Sequence, residues 1–179
     1  ISWSIEAGLR SKYLDDTMVT TDSKEIAKVA KKYGATVPFL RPQELALDDS
    51  TTFDAVQHTV EYYRNNLNKT FEYIVLIEPT SPLREKEDID NMIEKLVENE
   101  DHFDSIVSIG VVHEHPSIMK KVVDNSIVPF CEGFEHTSRR QDNQLAYFPY
   151  GVAYIVKTSV FLKEKTFYTA RNTYYIIQR

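Results

Sequence analysis

The run Tyr73-Ile-Val-Leu-Ile77, followed by Glu78-Pro-Thr-Ser-Pro-Leu-Arg84, constrains this chain more than any other stretch. Ile74 to Ile77 are apolar without a break, and three of the four are β-branched. That pattern reads as a strand buried on both faces, as in a parallel sheet covered by helices. Pro79 and Pro82 cannot donate to a ladder, and each biases the preceding residue away from helical geometry, so a stiff loop must follow Ile77. Loops at the carboxyl ends of such strands are where open α/β sheets bind ligands. This one carries Glu78, Thr80, Ser81 and Arg84, and a helix pattern (Ile89, Met92, Ile93, Leu96, Val97) takes over directly after it.

The rest of the chain repeats the alternation of helix and short apolar strand. Ile1 to about Lys12 reads as a helix, and Thr17 to Thr21 as a strand. Asp22, three residues before Glu25, reads as the cap of a helix with Ile26, Val29, Ala30 and Tyr33 on one face, ending before Gly34. A catalytic role for Asp22 is the alternative. Thr36 to Leu40 reads as a brief strand with Pro38 at its edge. A polar loop to Thr52 then caps the helix carrying Phe53, Val56, Val60 and Tyr63. Ser105 to Val111 is a further strand. Ile118–Val123 and Ile127–Phe130 form a hairpin about Asp124-Asn-Ser126. Tyr147–Lys157 is strand-like, with Gly151 marking a bend or a close backbone approach. Ser159–Lys163 is a short helix, and Phe167, Tyr168 and Tyr174–Ile177 complete the sheet. The expected architecture is an α/β sandwich.

Composition narrows the function. A chain of 179 residues with 42% hydrophobic content suits one globular domain with a sizeable core. A net charge of −6, with scattered rather than striped cations, argues against nucleic acid. No run is long enough to span a bilayer, and no signal peptide is visible. Cys131 is the only cysteine, which excludes an internal disulfide and is compatible with a reducing compartment. His113-Glu-His115 has a spacing that metal sites use, but nothing nearby completes a ligand set, and Pro116 favours an ordinary loop.

Pro79-Thr-Ser-Pro-Leu-Arg84 behind an apolar strand resembles the central motif of the acylneuraminate cytidylyltransferases, the CMP-sialic acid synthetase family. Val19-Thr-Thr-Asp-Ser23, Phe39-Leu-Arg-Pro-Gln-Glu-Leu-Ala46, Arg139-Arg-Gln-Asp142 and Pro149-Tyr-Gly-Val-Ala-Tyr154 add to the resemblance, in the family's order and at similar spacings. The resemblance implies a three-layer nucleotidyltransferase sandwich, Rossmann-like and glycosyltransferase-A-like, in one domain over 1–179. A dimerisation hairpin at about 116–146 would join two copies into a homodimer. It implies a cytoplasmic enzyme that activates a nine-carbon α-keto sugar acid with CTP and releases pyrophosphate, with magnesium as the cation. The alternatives are a related enzyme for another sugar or nucleotide, and a homologue that binds without turnover.

Residue by residue, the resemblance implies that Arg41, Ser50 and Thr52 hold the cytosine base. Arg41 pairing at the surface with Glu44 or Asp48 remains the other reading. The sugar side would comprise Glu78, Pro79, Thr80, Ser81, Arg140, Tyr154, Phe167 and Tyr168. Arg140, or its neighbour Arg139, would fork onto the substrate carboxylate, and the three aromatics line the pocket or simply fill the core. Sialic-acid enzymes carry glutamine, arginine and asparagine where this chain has Glu78, Phe148 and Tyr150. The family's glycine- and lysine-rich phosphate loop and its metal-binding aspartates have no counterpart here. No metal ligand or catalytic base is therefore assigned, and the chain alone is expected to be inactive; because it starts at Ile1 inside an amphipathic pattern and stops at Arg179 directly after a strand-like run, both termini are expected to be truncated.

Overall fold

The structure is a computed structural model that describes residues 1–85, 87–131 and 144–177. It divides into two compact units, one formed by Ile1–Ser108 with Tyr150–Tyr175, the other by Ile109–Pro149 with Ile176–Arg179. Five helices, α1 (Ser2–Arg10), α2 (Lys24–Lys32), α3 (Thr52–Asn66), α4 (Asp88–Glu98) and α5 (Thr158–Glu164), alternate with strands. The strands are β1 (Tyr73–Leu76), β2 (Ser105–Val111), β3 (Lys120–Val123), β4 (Ser126–Pro129), β5 (Tyr147–Lys157) and β6 (Asn172–Ile176). The main sheet has the order β1-β5-β2-β6.

The strand placed at the centre of the sequence reading sits differently from expectation. β1 runs antiparallel to β5, from Tyr73 opposite Lys157 to Leu76 opposite Tyr154, and β5 is its one sheet neighbour among the described residues. All four of its residues are half-buried. An unbroken apolar run reports burial on two faces, which α4 and the aromatic cluster on α3 and α5 supply, but it does not report position within the sheet. The strands expected at Thr17–Thr21 and Thr36–Leu40 reduce to one parallel bridge, Met18 to Thr36. Val19 N–H donates to Thr36 O at 2.9 Å and Thr36 N–H to Thr17 O at 2.9 Å.

Helix ends follow capping chemistry, with one shift of register. The cap of α2 is Ser23, whose Oγ accepts from Ile26 N–H at 3.3 Å, and not Asp22. The helix begins one residue later than the Asp22/Glu25 spacing suggested, which frees Asp22 to face Arg41. The apolar face assigned to α2 also turns out otherwise. Of its four residues Ala30 is buried, against Ile5 and Ala35, whereas Ile26, Val29 and Tyr33 are exposed, and Ala27 is the other buried residue of the helix. Alanines on the inner face let α2 approach closely where larger side chains would hold it off. Gly34 takes φ +92, the left-handed cap its position predicts.

The core of the larger unit has two centres. Ile89, Met92 and Leu96 of α4 pack on Ile106, Ala153 and Ile155 of the sheet. On another side Val56, Val156, Phe161 and Phe167 cluster with Phe53 and Tyr154. Each fully buried aliphatic side chain contributes roughly 1.5–3 kcal/mol. Asp90, buried on α4, accepts from Ser11 Oγ at 2.5 Å and from Lys12 N–H at 3.2 Å, which bolts the end of α1 to α4.

In the smaller unit β3 and β4 form the expected hairpin, antiparallel from Lys120–Pro129 to Val123–Ser126. Its two central residues, Asp124 (φ 48) and Asn125 (φ 62), are both left-handed, the twist-matched turn that Asp and Asn tolerate. His115 caps a short 3-10 turn: Ser117 N–H donates to its Nδ1 at 3.2 Å, and its Nε2 lies 2.8 Å from Gln144 O. Both ring nitrogens of His115 are thereby occupied by protein partners.

Candidate functional site

The rim of the larger unit carries two loops, each with an arginine at one of its ends. The first, residues 41–52, leads from the Met18–Thr36 bridge into α3. Arg41 N–H donates to Thr21 O at 2.9 Å, which fixes the backbone where the two bridged segments end. Its Nη2 stands 3.9 Å from Asp22 Oδ1, at the limit of an ion pair, and its Nε is buried with no hydrogen-bond partner. The surface pairing with Glu44 or Asp48 does not form, and Asp22 takes that place. Ser50 closes the loop on itself: its Oγ donates to Glu44 O at 3.1 Å and accepts from Leu47 N–H at 3.0 Å. The cap of α3 is Thr51, whose Oγ1 accepts from Asp54 N–H at 3.1 Å. Thr52 is the first helical residue and is exposed.

The second loop, residues 78–84, is held from two sides. Arg84 donates from Nε to Val152 O at 3.1 Å, from Nη1 to Ser4 Oγ at 2.9 Å, and from Nη2 to Glu78 O at 2.6 Å and Gly151 O at 3.5 Å. Ser81 N–H also donates to Glu78 O, at 3.3 Å, so the loop closes a tight turn on that carbonyl. Pro79 and Thr80 are exposed, and Ser81 is half-buried.

Glu78 extends over β5 at Gly151. A Cβ at 151 would overlap the Glu78 carboxylate and lie 2.7 Å from its Cδ, so this approach requires glycine. The close-approach reading of Gly151 thus has a named partner. Tyr154 lies three residues further along β5, with Tyr168 edge-on at a ring separation of 6.1 Å. Burial, the Glu78 carboxylate and the neighbouring Tyr168 push the Tyr154 phenol up to about 12. Phe167 is buried, 4.9 Å from Phe161 and 6.1 Å from Tyr154, and backs this wall from the core. Tyr168 is half exposed. The structure therefore brings Glu78, Gly151, Tyr154 and Tyr168 together.

Arg139 and Arg140 lie outside the described residues. Among the described residues no three His, Cys, Asp or Glu side chains converge where a metal ion could be held. They do not fit a magnesium site by themselves, and no step is routed through one. No described helix is long and apolar enough to cross a membrane. The sequence reading passed over Ser4 and the bracing geometry of Arg84. A serine on the buried side of α1 carries no signature until the fold places it opposite a guanidinium 80 residues away.

A helix-flanked sheet with polar loops at its strand ends is an α/β form shared by many ligand-binding proteins, and similarity to known proteins narrows it. The chain belongs to the cytidylyltransferase family, whose model matches residues 1–178. It is 27% identical, over its whole length, to an N-acylneuraminate cytidylyltransferase of Escherichia coli O18:K1:H7, of which it covers 41%. A pseudaminic acid cytidylyltransferase of Campylobacter jejuni serotype O:2 is 27% identical over 180 residues, covering all of this chain and 76% of that protein. The chain spans about two fifths of the first of these. Among solved structures, a CMP:2-keto-3-deoxy-manno-octonic acid synthetase in complex with CTP aligns at a TM-score of 0.66, over 99% of this chain and 78% of that one, at 12% identity. That likeness establishes the fold.

Proposed function

We propose that this chain forms the cytosine and sugar-acid sites of an enzyme that joins CTP to a nine-carbon α-keto sugar acid, related to but distinct from N-acetylneuraminic acid. The anomeric hydroxyl attacks the α-phosphorus, the bond to the β-phosphate breaks, and pyrophosphate leaves. Such transfer asks mainly for positioning and for cations against the developing charge. Magnesium is the proposed cation, with ligands other than the described residues. Arg41 is the proposed contact to the base: its buried Nε lacks an acceptor, and a pyrimidine carbonyl would supply one.

The observation that carries the choice of sugar is Glu78, set over Gly151 beside Tyr154 and Tyr168. Two unit charges ~4 Å apart repel by about 4 kcal/mol at an effective dielectric near ~20, so Glu78 is unsuited to a substrate carboxylate. It suits a hydroxyl or an amide N–H, which a carboxylate accepts strongly. The glutamine of sialic-acid enzymes can both donate and accept at this position; Glu78 only accepts. The substrate is therefore a keto acid that presents a donor here, and pseudaminic-type acids are candidates of that class.

A homodimer in the cytoplasm completes the proposal. Val122 and Ile127 on the hairpin are 75% and 74% exposed, and Phe130, Ile118 and Met119 are exposed as well, an apolar surface suited to a second copy. The lone Cys131 suits a reducing compartment. Pyrophosphate release by the full-length protein with CTP, magnesium and a panel of sugar acids tests the reading. Pseudaminic or a similar acid should outpace N-acetylneuraminic acid. N-acetylneuraminic acid as the best substrate would refute the sugar assignment, and binding of CTP with no turnover on any acid would indicate a non-catalytic homologue.

A further inference from the structure

An arginine in a loop at a ligand-binding sheet edge invites assignment to a phosphate or a carboxylate, because its planar fork matches both. Arg84 is committed elsewhere. All three of its guanidinium nitrogens donate to protein acceptors, which lie on α1 (Ser4), on β5 (Gly151 and Val152) and at the start of its own loop (Glu78). Two of those acceptors are informative together. The carbonyls of Glu78 and Gly151 both take Nη2, and Glu78 and Gly151 are the residues whose close approach tolerates no Cβ. One guanidinium nitrogen thus fastens both backbones at the point where the Glu78 side chain crosses β5.

Building on the function proposed above, we infer that Arg84 is a positioning residue for substrate selection: it holds Glu78 against Gly151, presents the Glu78 carboxylate beside Tyr154 and Tyr168, and binds neither CTP nor the sugar. Glu78 follows Ile77 at the end of a short strand, and the prolines at 79 and 82 stiffen the loop without tying it to β5. The tie is Arg84. Ser4 anchors the same guanidinium to α1, so the carboxylate is referenced to two separate elements. The contacts that discriminate sugars come from Glu78, and their placement comes from Arg84.

The test uses the full-length protein with Arg84→Ala and Arg84→Lys. Steady-state kinetics would be measured against CTP, the preferred sugar acid and N-acetylneuraminic acid. Arg84→Ala should raise KM for the preferred acid by about tenfold or more, leave KM for CTP within about twofold, and reduce the preference between the two acids by about fivefold or more. Arg84→Lys keeps the charge but lacks the fork, so it should fall between Arg84→Ala and wild type. A change in CTP KM equal to that for the sugar, or an unchanged preference, would overturn the inference. If Arg84→Ala does not fold, the preference ratio of Arg84→Lys decides. A crystal structure of Arg84→Lys gives a readout independent of turnover. Glu78 displaced from Gly151 supports the role even if no acid proves to be a substrate, whereas Glu78 unmoved sinks it and leaves the proposed function intact.

Discussion

Two arginines, each close to the end of an extended segment on the rim of the larger unit, have opposite surroundings. Arg84 has protein acceptors on every guanidinium nitrogen, on three separate elements. Arg41 has a marginal pair with Asp22 at 3.9 Å and a buried Nε with nothing to bond. A guanidinium whose donors are all used stabilises the scaffold. One left with a desolvated N–H carries a cost of about 1–3 kcal/mol, which a ligand acceptor can relieve. Residue type is the same at the two sites, although Arg41 opens its loop and Arg84 closes its own, and the acceptors separate scaffold from site.

Substitutions can break this contrast. The largest effect is expected for Arg84→Ala, which strips four acceptors at once and should cost about 3 kcal/mol of stability. For a chain of this size that is a fall in Tm of roughly 6–12 °C, read by calorimetry. Gly151→Ala comes next. The new Cβ overlaps the Glu78 carboxylate, so overpacking should cost about 2 kcal/mol and the sugar-acid KM should rise while that of CTP holds. If Gly151→Ala leaves both stability and sugar KM unchanged, Glu78 does not occupy that position in solution.

Arg41→Ala should show the reverse pattern: CTP binding weakened about tenfold, or ~1.4 kcal/mol, with Tm within about 2 °C of wild type, measured by calorimetric titration and thermal unfolding. A large loss of Tm with intact CTP affinity would make the two arginines alike. Ser23→Ala removes the cap of α2 and should cost about 1 kcal/mol in denaturant unfolding, against at most ~0.5 for Asp22→Ala. The smallest effect concerns alkaline pH. Burial, foremost, pushes Tyr63 up to about 12, and its phenol donates to Asp16 Oδ2 at 2.8 Å. An unfolded phenol ionises near ~10, so the native state retains its proton longer. The stability from Tyr63 is whole below about pH 10 and declines as pH climbs toward 12. Denaturation midpoints at ~pH 9 and ~pH 11.5 should differ less in Tyr63→Phe than in wild type.

Much of this layout was legible in the sequence, and the failures have physical reasons. The helices α2, α3 and α4 announced themselves through their local pattern of apolar and polar residues, although the cap of α2 was placed one residue early, at Asp22 instead of Ser23. The Asp124-Asn125 turn was legible for the same reason. The neighbours of β1 were not, since hydrophobicity reports how much of a strand is covered and not which strand lies beside it. On α2 only Ala30 was placed rightly on the buried side; Ala27 was missed and Ile26, Val29 and Tyr33 were added, because alanines carry little hydrophobic signal. At the site, Gly151 stood out as a close approach, but its partner lies 73 positions earlier (151 − 78). The roles of Arg84 and Ser4 were invisible for a related reason: hydrogen bonds across 68 and 80 residues leave no local pattern.

The same spans bear on the order in which the protein is made. Arg84 needs Ser4, which precedes it by 80 residues, and Val152, which trails it by 68. At ~5–20 residues per second the ribosome takes on the order of 3 to 14 seconds to supply that stretch. Until then the nascent loop has only its α1 contact available, and the carboxylate that would discriminate between sugars has no β5 to lie on. Selectivity therefore lags behind the loop that carries it, and is gained only once β5 has followed that loop out of the ribosome.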